Sequence, residues 1–265
     1  MKKRGLLKTF RKEISFMKEL MFFDANARVG DTMMGPRPGV KKLLEEMDRY
    51  GVEKALVRHG NVDTLGAFGA NRDLGIWLTE TVQDRLYGVW NILPEQCDEL
   101  PLGEELFKAM KRNQMKALAV NDAHRFVMCR MSIGKIMDAA AERKIPVLLH
   151  GIQSAWKNVY DFVKEFPGNR VIINSGQKWG SDRNLRPLLE NCENLYVELA
   201  GYWVPEGIRD LAELYTSKRI MYGSGFPVYA HGSAMAQIKH SGLTDQQIAD
   251  IAGLNMVKLM EESEI

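Results

Sequence analysis

The 265-residue sequence contains no CxxC pair, no HExxH helix signature, no GxxxxGK loop and no GxGxxG turn. Thiolate zinc sites, zincin-type hydrolysis and the phosphate-cradling nucleotide folds therefore lack their usual supports. The Ser-His-Asp order of the common acyl-transfer enzymes is missing as well. The three cysteines, Cys97, Cys129 and Cys192, lie far apart, which argues against a disulfide framework and fits a reducing cytoplasm. Charge of one sign is also lacking. Against 36 basic residues stand 34 acidic ones, so no general field is available for nucleic acid or for an acidic membrane surface. No apolar run is long enough for a transmembrane span.

What is present is 45% hydrophobic and 26% charged residues, enough to bury one large core. The first twenty residues, MKKRGLLKTFRKEISFMKEL, put Leu6, Leu7, Phe10 and Ile14 on one helical face with lysines and arginines opposite. Their basic residues recur throughout and no small-residue cleavage site follows, which argues against a secretory signal. The expectation is an N-terminal helical extension over 1–20 that caps the bottom of the following domain or forms an oligomer contact.

From Met21 onward, short apolar runs alternate with longer stretches of helical period, as repeated βα units require. Eight runs occur: 21–26, 54–59, 86–91, 116–121, 146–151, 170–175, 195–200 and 219–224. Eight such units need about 250 residues. The fold class predicted over 21–265 is therefore α/β, a single (β/α)8 TIM barrel. Ser132, Ser154 and Thr244 stand where helix N-caps belong, and Gly51 and Gly168 stand where helices stop. The closing stretch, LTDQQIADIAGLNMVKLM, is predicted as a helix or helix pair packed on the outside.

Chemistry in such a barrel collects at the carboxyl ends of the strands. The polar residues there are Asn26, Arg28, Arg58, His59, Asn91, Asn121, Asp122, His150, Asn174, Ser175, Glu198 and Ser224. His150 is the candidate general acid or base, because imidazole titrates near neutrality. Asn26, Arg28, His59, Asn91, Asn174, Glu198 and Tyr229 are the candidate substrate-binding residues. Aromatic residues near the strand ends, Trp90, Trp179, Tyr202 and Trp203, are available as an apolar wall, and His231 is placed at the rim with Tyr229. Each has a plainer alternative: His150 as a hydrogen-bonded histidine of the upper barrel, Glu198 as an ion-pair partner of Arg28 or Arg58, Tyr229 and His231 as surface loop residues.

Several segments in order, AAAERKIPVLLHG, FPGNRVIINSG, LRPLLENCENLYVELAGY, KRIMYGSGFP and IADIAGLNMVKLM, resemble the amidohydrolase superfamily, in the branch that includes aminocarboxymuconate-semialdehyde decarboxylase. The resemblance covers nearly the whole chain after residue 20. It implies a divalent metal such as zinc, held by a His-x-His pair after strand one, histidines after strands five and six, and an aspartate after strand eight. In this sequence Asn26 and Arg28 stand at the His-x-His positions, His150 at the strand-five histidine, Asn174 or, one residue on in register, Ser175 at strand six, and Gly225 at the aspartate.

One metal-ligand position out of four or five is retained. A guanidinium about 4 Å from a dication adds roughly 8 kcal/mol of repulsion at an effective dielectric of about 20. No metal or other cofactor is expected. The Arg28 fork is suited instead to a carboxylate or an oxyanion. The functional expectation is a hydrolase or lyase of amidohydrolase lineage acting on a small carboxylated compound without a tightly bound metal. The alternative is a non-catalytic small-molecule-binding or regulatory protein on the same barrel. A homodimer is one assembly the resemblance implies.

Overall fold

A computed structural model describes residues 20–31, 38–81, 84–121, 126–150, 156–174 and 182–265. The N-terminal extension, Ser154, Trp179, Asp122 and Ser175 lie outside the described residues.

Runs rich in valine, leucine and alanine form eight strands: β1 (Phe22–Val29), β2 (Val52–His59), β3 (Leu86–Asn91), β4 (Met115–Asn121), β5 (Val147–His150), β6 (Val171–Asn174), β7 (Leu195–Glu198) and β8 (Ile220–Met221). They pair in parallel in chain order. The ring is closed by main-chain bonds from Ala25 N–H to the Tyr222 carbonyl at 2.9 Å, Gly225 N–H to Asn26 at 3.0 Å and Arg28 N–H to Phe226 at 3.0 Å. This is the predicted (β/α)8 barrel.

The intervening helices are α1 (Val40–Tyr50), α2 (Val62–Thr81), α3 (Glu104–Arg112), α4 (Arg130–Glu142), α5 (Trp156–Glu165), α6 (Asp182–Asn191), α7 (Gly207–Tyr215) and α8 (His231–Lys239). Gly51 stops α1 in the left-handed conformation at φ 72° and donates its N–H to Met47, as a C-terminal glycine should. Gly168 sits just past the end of α5. Ser132 is not the cap of α4. That helix begins a turn earlier, with Cys129 at the N-cap and Ser132 three residues in, returning its hydroxyl to the Cys129 N–H in a capping box.

Strand alternation sorts the core into two layers. Phe23, Ala25, Leu56, Val89, Ala117, Ala119, Leu148, Ile172 and Met221 fill the barrel interior. Their strand neighbours Ala55, Val57, Leu118, Val147, Leu149 and Val197 pack outward against the helices. In β1 the pairing register shifts between Asp24 and Ala27. Past this irregularity Ala27 and Val29 join the outer core, which turns Arg28 toward the barrel axis.

The chain's last segment corrects an expectation. Thr244 caps α9 (Asp245–Ala249) in a capping box with Gln247; a π-helical turn (Asp250–Leu254) and α10 (Asn255–Glu262) follow. Ile248 of α9 and Ile251 and Ala252 of the π-helical turn pack in the outer core, as predicted, but α10 does not. Met256 and Leu259 of α10 join the interior cluster from below, and a side chain on Gly253 would come within 2.7 Å of the Met21 carbonyl. The barrel floor is thus closed by the C-terminal helix. Buried Asn255 fastens it, donating from Nδ2 to the carbonyls of Ser217 and Ile220, each at 2.7 Å.

Replacing Asn255 by Ala leaves those carbonyls unsatisfied and should cost about 1–3 kcal/mol. Urea unfolding will read this as a lower midpoint at an unchanged m-value.

Candidate active site

The mouth of the barrel receives the inward-facing residues at the strand ends. Leu56 faces the interior and Val57 the helices, so alternation points Arg58 inward and His59 outward. The same parity directs Asn91, Asn121, His150 and Glu198 inward. Arg28 and Arg58 are register partners on adjacent strands, which sets two guanidinium groups side by side.

Arg58 is held by Asn26. Its Nε and Nη2 donate to Asn26 Oδ1 at 3.2 and 2.8 Å, and Asn26 Nδ2 donates to Glu198 Oε1 at 2.6 Å. Glu198 Oε2 accepts the Ala200 N–H at 2.7 Å. An Arg58–Asn26–Glu198 relay thus crosses the barrel from β2 through β1 to β7. Burial, reinforced by the charge on Arg28 and opposed by Glu198, pushes the Arg58 pKa down to about 9. Near neutrality the group is still a cation. Gly223 is required here, because a Cβ would lie 2.0 Å from Glu198 Oε2.

His150 Nε2 is sealed from solvent and has no hydrogen-bond partner, although the residue as a whole keeps some surface. Burial first, then the charges of Arg58 and Arg28, hold its pKa well below the usual imidazole value. The ring is therefore neutral, a base beside two cations.

Beneath the mouth, Asp24 ties β1 to the segment after β8. Its buried carboxylate accepts from Asn26 N–H at 2.9 Å, from Ser224 N–H at 2.8 Å and from the Ser224 hydroxyl. Ser224 Oγ in turn accepts the Phe226 N–H at 2.9 Å. The Phe226–Pro227 peptide is cis.

The remaining sequence candidates divide between the strand ends and other parts of the fold. His59 lies in the outer layer, stacked on Trp77 with centroids 4.8 Å apart. Asn91 is clamped by buried Asn71, whose amide bonds the Asn91 N–H, carbonyl and side chain at 2.8–3.1 Å. Asn174 ends β6 opposite Glu198. Tyr229 packs beside Gly225, and its ring is 6.4 Å from that of Trp203. Trp90 belongs to the outer core, and Tyr202 is buried with its hydroxyl on Asp182. His231 is not at the rim. It is 1% exposed, bonded to the Tyr222 hydroxyl at 2.8 Å. The sequence places Arg58 among the strand-end polar residues without making it a substrate-binding candidate, and does not bring out Asn71 at all. Arg58 was legible as the inward neighbour of Arg28, whereas Asn71 sits mid-helix and carries no local signal.

The profile of the amidohydrolase family matches residues 25–259. The chain belongs to the amidohydrolase family. No curated protein sequence matches it significantly. Among solved structures, this amidohydrolase barrel is similar to a probable 2-pyrone-4,6-dicarboxylic acid hydrolase from Acinetobacter baumannii with citric acid bound (TM-score 0.71, 15% identity, 91% of this chain and 99% of that one). It is also similar to 5-carboxyvanillate decarboxylase from Sphingomonas paucimobilis (TM-score 0.69, 13% identity, 92% and 99%). A third likeness is to 2,6-dihydroxybenzoate decarboxylase from Rhizobium (TM-score 0.69, 13% identity, 91% and 98%). At these identities the likeness is one of fold. No described helix is long and apolar enough to cross a membrane.

The divalent metal that the family implies does not fit this donor set. Asn26 Oδ1, the oxygen best placed to ligate, already accepts two N–H groups of Arg58. Two guanidinium groups face the same space, and no cluster of three His, Cys, Asp or Glu side chains is present among the described residues. Gly225, at the family's aspartate position, is at φ 67°, and a Cβ there would lie 2.8 Å from the Tyr229 ring.

Two outcomes are expected. Gly225→Asp should destabilise the fold by about 1–3 kcal/mol through left-handed strain and the Tyr229 contact, measured by chemical unfolding. Acid should also destabilise the protein through His150. The unfolded chain takes up the imidazole proton near pH 6.5, whereas the folded site does not. Stability therefore falls as pH drops below about 6.5, by up to about 1.4 kcal/mol per pH unit for this group. The His150→Gln variant should show a shallower decline over that range; an identical slope would contradict a neutral His150.

Proposed function

We propose that the barrel mouth binds a small carboxylated compound through Arg28 and Arg58 and hydrolyses an ester or lactone bond in it, without a tightly held metal. The observation that carries this reading is the pair of neighbouring guanidinium groups beside a neutral, enclosed imidazole. Planar forks bind carboxylates in two-point fashion and stabilise oxyanions. A neutral His150 is suited to take a proton from water as the hydroxyl adds to the acyl carbonyl. The same proton then goes to the departing alkoxide or enolate, returning His150 to its resting state. Carbon protonation by His150, as decarboxylation requires, would need the ring already protonated before the step begins, whereas hydrolysis starts from the neutral ring and forms the imidazolium only during the step. The similar structures, a probable pyrone dicarboxylic acid hydrolase and decarboxylases of aromatic acids, are named for substrates of the same general acidic class.

Asn26 and Glu198 serve as positioning residues for Arg58, and Asn91 is held for the substrate by Asn71. The second reading, a binding protein without turnover, is favoured by Gly225, because the family carboxylate that would move a proton has no counterpart there.

Protein purified without chelator should carry no stoichiometric zinc or manganese. Citrate and aromatic dicarboxylates should raise its melting temperature, since a ligand at 100 times its Kd adds about 2.7 kcal/mol. Arg28→Met and Arg58→Met should each abolish that shift, and His150→Gln should abolish lactone hydrolysis while leaving binding. Stoichiometric metal, or shifts undiminished in both arginine variants, would overturn the proposal. Binding by the wild type with no turnover of any lactone would leave the second reading.

A further inference from the structure

On the opposite faces of β1 and β2 from the barrel mouth lies a separate cavity of about 500 Å³. It is bounded by Gly30 and Asp31 after β1, His59 and Asn61 after β2, and Asp73, Trp77 and Glu80 along α2. Its volume is ample for a small organic molecule.

Two buried polar atoms of opposite character line it without partners. His59 is 4% exposed, and its Nδ1 accepts the Asn61 N–H at 3.0 Å. The proton of the neutral ring must therefore sit on Nε2, which has no acceptor. Asn61 Oδ1 is likewise buried and has no donor. A buried donor or acceptor left unmade costs about 1–3 kcal/mol, so two in one cavity mark a place built for something else to fill.

The remaining lining says what. Asp31, Asp73 and Glu80 are acidic, and no lysine or arginine stands among the described lining residues. Arg72 pairs with Asp73 at 2.8 Å from the exposed side of α2. Trp77 is a fixed wall. Its ring stacks on His59 at an interplanar angle of 20° and passes so close over Gly30 (φ 86°) that a Cβ there would lie 2.6 Å from it. Carboxylates and an indole together attract an organic cation. The orphaned His59 Nε2–H calls for a carbonyl on the same molecule, and Asn61 Oδ1 for an N–H.

We propose that this cavity is a second ligand site, independent of the barrel mouth, for a small amine that also carries a carboxamide or similar carbonyl group. The ammonium lies among Asp31, Asp73 and Glu80 against Trp77, the carbonyl accepts from His59 Nε2, and the amide N–H donates to Asn61 Oδ1.

The probe is leucinamide, titrated into the full chain while the Trp77 indole N–H resonance, assigned with Trp77→Phe, is followed by NMR. A saturable shift in the millimolar range is expected. It should weaken about tenfold, equivalent to about 1.4 kcal/mol, for 4-methylpentanamide, which lacks the ammonium, and for 3-methylbutylamine, which lacks the carboxamide. The surface-side double variant Asp73→Asn/Glu80→Gln, which leaves the buried His59–Trp77 stack in place, should weaken leucinamide to a similar degree. Citrate should not displace leucinamide, which distinguishes this site from the acidic-ligand site above. No shift at Trp77, a shift unchanged in the double variant, or competition by citrate would overturn the proposal.

Discussion

The buried charge of Arg58 is the constraint around which the mouth of the barrel is organised. An enclosed guanidinium is costly unless its N–H groups are received and its charge is balanced. Asn26 receives two of them, and its own amide is pinned by Glu198. Glu198 is pinned in turn by the Ala200 N–H, in space that exists only because residue 223 is glycine. Each member is oriented by the next, so the relay positions Arg58. His150 is kept neutral first by its burial and then by the same charges, since both arginines repel a proton on its ring.

The relay depends on strands β1, β2 and β7 keeping their register, and the weakest link in any closed sheet is where its first and last strands meet. Here β8 has only two residues in regular pairing. Asp24 compensates by accepting from both β1 and Ser224, and the Asn255 amide together with the Tyr222–Ile251 main-chain bond at 2.7 Å fixes the lower end. The same closing segment presents Gly223 and Gly225 to the mouth. Barrel closure and site geometry are therefore one structural problem, solved by residues that never touch a ligand.

How far this could be read from the chain depends on the range of the interactions. The eight strands are short-period patterns, and all eight apolar runs correspond to strands because alternation between a packed interior and a helix layer is written locally. The Thr244 cap and the Gly51 stop are equally local. The start of α4 was misplaced because Ser132 and Cys129 divide a reciprocal cap whose two halves look alike in sequence. The closing segment reads as an outer helix, yet its Met256 and Leu259 reach the barrel interior; an amphipathic helix announces that it packs, not where. At the site, position and parity brought out Asn26, Arg28, His150 and Glu198, but the bond from Asn26 to Arg58 spans two strands and has no sequence signature. His59 shows the limit most clearly. It adjoins Arg58 in the chain yet faces the other layer.

On the proposed reading, guanidinium groups stand where the family keeps a dication, and that would alter what the barrel can do. A bound divalent metal lowers the pKa of water and polarises a carbonyl at one point. A guanidinium leaves the pKa of water largely unchanged, but it matches two oxygens at once and stays charged through the reaction. On the proposed reading, the nucleophile must then be made by a base, and the base must be unprotonated in a cationic setting. Burial, reinforced by Arg28 and Arg58, imposes that state on His150 at rest, and a bound substrate carboxylate would offset the arginines' share of it, raising the basicity of the ring when substrate is present. Substrate binding and base strength are thereby coupled through charge.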